Sequence, residues 1–546
     1  MRKLNLLFVM LLILYGIQWI KANDTLFVKE TRIPVLLERY DNVVFRMRFD
    51  TQKAKLLNAV TLRFGDETEL KNIHSVKLYY SGTEAYQNVI KREFAPVEYI
   101  SSHKPGKTLT ANPSYSILLK EVKNPKKVVQ FSVNQPLFPG VNYFWISVRM
   151  KSKAAVTSTF TAAITSVEAD NNPAVVTIES PKDIVHRVGV GVRHAGNDGS
   201  AAFRIPGMVT TLKGTLLGVY DVRYNSSIDL QEHIDIGLSR STDGGQSWEK
   251  MRLPMAFGEY DGLPSAQNGV GDPAILVDEL TGTIWLIAVW SHGMGNQRTW
   301  WSSNRGTEPA STAQLMLVSS DDDGKTWSKP INITKQVKDP SWHLLLQGPG
   351  KGITMLDGTL VFPIQYIDST RVPNAGIIYS KDHGKIWKIN NHARTNTTEA
   401  QVAEIEAGVL MLNMRDNRGG SRAVSVTHDL GIHWVEHPSN RSALREPVCM
   451  ASLINVKAKD NILNRDILLF SNPDTEKGRY NITIKASLDG GITWLPENQL
   501  MLDEDPGWGY SCLTMIDNET VGILYESSVA YITFQAVKLK EIINKL

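Results

Sequence analysis

Ser241-Thr242-Asp243-Gly244-Gly245-Gln246-Ser247-Trp248 is the first of five stretches built to one pattern, Ser/Thr-x-Asp-x-Gly-x-(Thr/Ser)-Trp. The others run Ser320 to Trp327, Ser380 to Trp387, Thr427 to Trp434 and Ser487 to Trp494, with Ile386 and His433 departing from the pattern in the third and fourth. In each box the Asp accepts backbone hydrogen bonds, the Gly permits a positive φ and the Trp can plug a groove. The stretch therefore reads as a self-satisfied turn between two strands. Five copies at wide, uneven intervals predict a repeat protein.

Working outward, each box is preceded by three apolar β-like runs and followed by a fourth, as in Gly207 to Thr211, Leu216 to Tyr220 and Ile234 to Leu238 before the first box. A sixth unit, with Cys512 to Met515, Val521 to Leu524 and Tyr531 to Phe534, has no box. Six four-stranded units predict an all-β chain whose larger part, residues 183–546, is a six-bladed β-propeller. Residues 23–182 carry no box and alternate short β-like runs (Ser75 to Tyr80, Val141 to Val148) with polar turns, which predicts a smaller β-sandwich-like domain. Its aromatic residues suit strand packing or a carbohydrate groove. At the start, Arg2 and Lys3 precede an apolar run from Leu4 to about Ile20 and a polar Lys21-Ala22-Asn23-Asp24, the pattern of a signal peptide over residues 1–22. The expectation is an exported protein, periplasmic or secreted, with no integral membrane domain after cleavage.

The chain of 546 residues exceeds what one core can organise. Its 59 basic and 56 acidic residues leave a charge of +3, all of it accounted for by Arg2, Lys3 and Lys21, so bulk charge gives no support to nucleic-acid binding. Neither a phosphate loop nor a His/Cys metal spacing occurs, and no cofactor or metal is expected. The spacing of Cys449 and Cys512 is compatible with a disulfide and with two buried thiols.

In up-and-down blades, the start of strand one and the end of strand two share the face opposite the boxes. The starts of first strands carry Arg204, Asp272, Glu399 and Tyr510; the ends of second strands carry Asp221, Arg223, Arg415, Asp416 and Glu526; the loops beyond hold Asp229 and Arg479. All converge on one face. Arginines from several blades around one axis are costly to pack without an anion, and their forked donors suit a carboxylate. His233, His292 and His343 read as ordinary surface or loop histidines.

Boxes combined with Phe203-Arg204-Ile205-Pro206 and a late Gly509-Tyr510-Ser511 resemble the bacterial exo-α-sialidases (neuraminidases) from about Val185 to the C-terminus. The resemblance implies that Arg204, Arg415 and Arg479 clamp the sialic carboxylate and that Glu526 holds the first of them. It also implies a nucleophilic Tyr510 with Glu399 as its base, Glu404 being the competitor, and an acid/base Asp229, Asp221 being the competitor. Arg223, Asp272 and Gln347 would be further substrate contacts. The implied substrates are terminal α-linked sialic acids on glycans, and the expected enzyme is a monomer that needs no cofactor. Hydrolysis, transfer to another sugar and intramolecular transfer share these motifs; a glycan-binding propeller without turnover would give no reason to keep Tyr510, Glu399, Asp229 and three arginines together. The chemistry agrees: sialic acid bears a carboxylate on the attacked carbon, which repels a carboxylate nucleophile, whereas a phenol with a pKa of about 10 avoids much of that repulsion if a base takes its proton.

Overall fold

The computed structural model describes residues 24–83, 99–100, 108–109, 116–181, 184–295 and 297–543; the signal-peptide stretch lies outside them. The first domain packs a six-stranded sheet against a four-stranded one. Period-two burial marks its strands, as in Val128–Leu137, where Val129 and Phe131 turn inward and their neighbours face solvent. Its conspicuous aromatics belong to the interior: Tyr79 stacks on Trp145 at 4.1 Å, and both are buried with Tyr80 and Phe144. These four residues are core and do not line a carbohydrate groove.

The second domain is the six-bladed propeller. Blade one comprises Ala202–Thr210, Leu216–Arg223, Ile234–Ser241 and Arg252–Met255, each paired antiparallel with the next. Residues 270–332, 344–389, 397–436 and 452–503 form blades two to five. The sequence pattern supplies only three strands for blade six, Ser511–Met515, Thr520–Tyr525 and Ile532–Lys538. Its outer strand is His186–Arg193, from the beginning of the domain, with Val190 opposite Phe534. The ring thus closes by a strand drawn from its other end. That same strand pairs with Val35–Leu36 and Thr159–Phe160 of the first domain, so one sheet edge is shared between the two. Val529 and Ala530 of blade six bury themselves with Ile33, Leu36, Tyr79 and Trp145, and Arg46 meets Asp505 at 2.8 Å.

Each box is a closed hydrogen-bond unit. In the first, Asp243 accepts from Ser241 Oγ (2.7 Å), Ser247 N (3.0 Å) and Ser247 Oγ (2.6 Å), while Ser241 Oγ accepts from Gly245 N (2.9 Å). The set recurs at Asp322 and Asp489, and in the third and fourth boxes Ile386 and His433 keep the backbone bond to Asp382 and Asp429. Four of the five box glycines, Gly245, Gly324, Gly384 and Gly491, also lie against the preceding blade. A Cβ on Gly245 would fall 1.9 Å from Phe534 of blade six, and one on Gly384 of blade three would fall 2.4 Å from Trp285 of blade two. The boxes are therefore inter-blade rivets. Register places them away from the polar residues: Leu216 pairs with Ser241 at the box end of blade one, and Arg223 with Ile234 at the other.

Gly384 combines that contact with a φ of +82°. Replacing it with Ala adds left-handed strain and an overpacked interface, and the expected cost is about 2–4 kcal/mol of propeller stability. Denaturant unfolding monitored by tryptophan fluorescence checks this, the midpoint being expected to fall relative to the unsubstituted protein.

Candidate active site

Three blades break register where their first strands begin, between Arg204 and Gly207, Gly271 and Ala274, and Thr397 and Ala400. A bulge re-aims the side chains beside it, and here Arg204, Asp272 and Glu399 turn toward the axis. Ile205 (φ 62°) and Asp272 (φ 57°) adopt the left-handed conformation although each precedes a proline, a placement disfavoured twice over. Such strain persists only where the surroundings hold it. For Ile205 the holder is Glu526, fully buried, which accepts from Arg204 Nε (2.6 Å), Ile205 N (2.9 Å) and Tyr510 N (2.9 Å). For Asp272 it is Asp221, which accepts from Asp272 N at 2.8 Å, and Gln347, whose amide donates to the Asp272 carbonyl.

Tyr510 stands at the centre. Its hydroxyl donates to Glu399 Oε1 and accepts from Arg415 Nη1 at 3.2 Å, while Arg415 Nη1 also reaches Glu399 Oε2 at 2.6 Å. The guanidinium carbons of Arg204 and Arg479 lie 5.4 and 5.5 Å from the Tyr510 ring centre. All three arginines therefore border one phenol. Trp508 helps to place two of them: its ring lies 4.0 Å beneath the Arg204 guanidinium, and its carbonyl accepts from Arg479 Nη1 at 3.0 Å. Burial, then the Glu399 charge, pushes the Tyr510 phenol well above its ordinary value, with Arg415 and Arg479 opposing. The free site holds a neutral phenol with its proton directed at Glu399.

A second ionic group forms the facing wall. Fully buried Arg223 donates to Asp221 through Nη2 (2.7 Å) and to Asp229 through Nη1 (2.8 Å). Burial raises both Asp221 and Asp272, but Arg223 and a backbone N–H upon Asp221 oppose the rise there, whereas the Asp221 and Asp229 charges add to it at Asp272, so Asp272 is the member of the pair pushed up further. Burial also works against the Asp229 charge, yet Arg223, Arg204 and Arg298 outweigh it and hold that carboxyl at about 2. Asp229 is nevertheless 59% exposed and faces the opening.

Between the walls lies a pocket of about 410 Å³, within the range of small-molecule sites. Tyr510, Glu399 and Arg415 line one side, Asp229 and Asp272 another, and Leu230, Val289, Trp300 and Leu346 an apolar third. Of the residues picked out by sequence as substrate contacts, Gln347 and Arg223 do not reach the pocket: both are completely buried, Gln347 acting through the Asp272 backbone and Arg223 through Asp221 and Asp229. Glu404 points to the box face, where it accepts from Leu356 N and Gly408 N at 2.8 Å, and so does not compete with Glu399. Asp221 is sealed beneath Asp229 and cannot take its place. Gln365 and Asn417, at the ends of second strands, were within reach of the strand-end rule; Arg298, Trp300 and Trp301 sit in the long connection between Trp290 and Gln314, where no rule applies. Cys449 and Cys512 are separate buried thiols, Cys449 packing with Ile205, Met450 and Tyr510 under the pocket and Cys512 against the Met208 backbone.

Residues 23–173 match a family described as the N-terminal domain of BNR-repeat neuraminidase, and residues 205–516 match a BNR repeat-like domain. Over 544 residues, spanning the whole of both chains, the sequence is 67% identical to a sialidase of Bacteroides fragilis. It is 35% identical to a sialidase of Paraclostridium sordellii, over 60% of this chain and 81% of that one. Among solved structures, the Hadza microbial sialidase Hz136 is similar with 60% identity and a TM-score of 0.89, covering 94% of this chain and 99% of its own. The fold extends to a leech intramolecular trans-sialidase at 17% identity, TM-score 0.58, covering 91% and 95% of the two chains.

Glu526→Gln removes the charge that answers Arg204 while retaining the side chain's size. The expected result is a loss of about 3–5 kcal/mol in stability, the penalty for stranding a buried cation, together with collapse of carboxylate binding. Unfolding midpoints and titration with a carboxylate-bearing sugar analogue measure the two effects separately.

Proposed function

Because the chain belongs to the bacterial sialidase family and is a glycoside hydrolase, we propose that it is a retaining exo-α-sialidase working through a covalent intermediate on Tyr510. Its substrates are terminal α-linked sialic acids of glycoproteins, glycolipids and oligosaccharides. The observation that carries the reading is the Tyr510 hydroxyl shared between Glu399 and Arg415, with Arg204 and Arg479 on either side of the ring.

In this reading the substrate carboxylate is held by Arg204, Arg415 and Arg479, and the anomeric carbon comes to rest over the Tyr510 oxygen. Glu399 takes the phenolic proton as that oxygen bonds to the anomeric carbon. Asp229 delivers its proton to the glycosidic oxygen, and the leaving sugar departs as an alcohol. Water then attacks the same carbon, Asp229 takes its proton, and the Tyr510 oxygen leaves and recovers the proton from Glu399. Two displacements give net retention. Asp272, its carboxyl raised by burial and by the neighbouring Asp221 and Asp229 charges, is suited to contacting a sugar hydroxyl, and the apolar wall at Leu230, Val289 and Leu346 to taking an acyl substituent.

An acid held at about 2 is ionised in the empty site, so substrate binding has to return its proton. A bound sugar works in that direction twice. It excludes water from the Asp229 carboxylate, and its own carboxylate neutralises Arg204, one of the cations holding Asp229 low. The signal-like residues 1–22 support export, to the periplasm or beyond.

Tyr510→Phe is expected to abolish turnover of every sialoside. Asp229→Asn is expected to slow release of a sugar leaving group by about 10²–10⁴-fold, yet to affect a phenolic leaving group far less, because a phenolate departs without a proton. Comparing kcat/KM for sialyllactose and an aryl sialoside tests both; equal losses would remove Asp229 from the acid/base role. Free sialic acid of retained configuration as the first product, seen by NMR, is the outcome required of hydrolysis with retention.

A further inference from the structure

The cations that line or underlie the pocket are answered from within the protein, with one exception. Arg204 is paired with Glu526, Arg415 with Glu399, and Arg223 with Asp221 and Asp229, while Arg479 donates to the carbonyls of Trp508 and Val448. Arg298 also lines the pocket, is exposed, and makes no ion pair or side-chain hydrogen bond among the described residues. Its charge nevertheless bears on Asp229.

Arg298 is not loosely placed. The next residue, Thr299, donates its N–H to the Leu230 carbonyl at 2.8 Å, which fixes Arg298 beside the residue following Asp229. The Arg298 carbonyl in turn accepts from Trp301 N (2.9 Å) and Ser302 N (3.0 Å), and Ser303 Oγ donates to the His343 carbonyl at 2.7 Å. This short turn therefore presents a guanidinium and a 65% exposed indole, Trp301, at the mouth.

Position decides what such a cation can read. Asp229 faces the glycosidic oxygen in the proposed reaction, so the leaving sugar extends from Asp229 toward solvent. The substrate's own carboxylate is taken by the arginines around Tyr510. A second, unanswered cation beyond Asp229 has no partner in a neutral leaving sugar. Resting on the sialidase reading above, we infer that Arg298 forms a leaving-group subsite that favours sugars bearing an anion, either the carboxylate of a second sialic acid or a sulfate ester. Trp301 offers that sugar an apolar face beside the charge.

The subsite is tested by kcat/KM for three substrates: an α2,8-linked disialyl glycan, a sialyllactose sulfated on the leaving sugar, and unmodified sialyllactose. The ratio of charged to neutral substrate removes any general effect of Arg298 on Asp229. Because the contact is solvent-exposed, the ratio is expected to be about two- to fivefold above that of Arg298→Gln and to be recovered in Arg298→Lys. It is also expected to decline between low and physiological salt in the wild type and not in the glutamine variant. A rise confined to the disialyl or to the sulfated arm identifies which anion is read. A ratio unchanged in Arg298→Gln while sialyllactose is still cleaved overturns the subsite alone; failure of the wild type on all three substrates overturns the sialidase reading with it.

Discussion

One buried carboxylate organises the catalytic face. Glu526 accepts from a guanidinium, from the backbone of a strained isoleucine and from the backbone of Tyr510, and it does so across the seam between blades one and six. None of the three can move without abandoning a hydrogen bond in a place where water cannot replace it. A buried ion pair of this kind adds little net stability over an apolar pair, since desolvation offsets most of the attraction. What it provides is location. The arginine, the bulge that aims it and the phenol are fixed relative to one another before any ligand arrives, and preorganised charge is where much of an enzyme's rate advantage originates.

The two faces of the propeller divide the work. On one, Asp-centred turns satisfy their own donors, and glycines lie flat on the neighbouring blade. On the other, the same strands end in bulges, left-handed residues and unmatched polar groups. Local rules are obeyed where the fold is held together and broken where chemistry is done, with rigid blades absorbing the strain. Asp272 shows how far that goes: a residue in an unfavourable conformation, before a proline, is held by a carboxylate on its N–H and an amide on its carbonyl.

Much of this was legible in the chain. The boxes repeat, so strand order followed from them, and strand order placed Arg204, Glu399, Arg415 and Tyr510 on a common face. What escaped depended on distance or on burial. No local pattern announces that His186–Arg193 completes a blade whose other strands lie at the far end of the chain. Gln347 has the residue type and position of a ligand contact, but its side chain turned inward to the Asp272 carbonyl, and only packing reveals that. Tyr79 and Trp145 carry the composition of a sugar platform and serve as core. The turn at Arg298 belongs to a connection without periodicity, where sequence reasoning has nothing to hold.

The shared outer strand also has a consequence for biosynthesis. His186–Arg193 emerges early, whereas its partner at Phe534 is made roughly 340 residues later, which at about 5–20 residues per second is an interval of tens of seconds. During that time part of its length is already paired with Val35–Leu36 and Thr159–Phe160 of the domain already synthesised, while its Val190–Arg193 end awaits its partner. The first domain thereby acts as a holder for a part-paired strand, shielding part of an edge that would otherwise invite pairing with a neighbouring nascent chain.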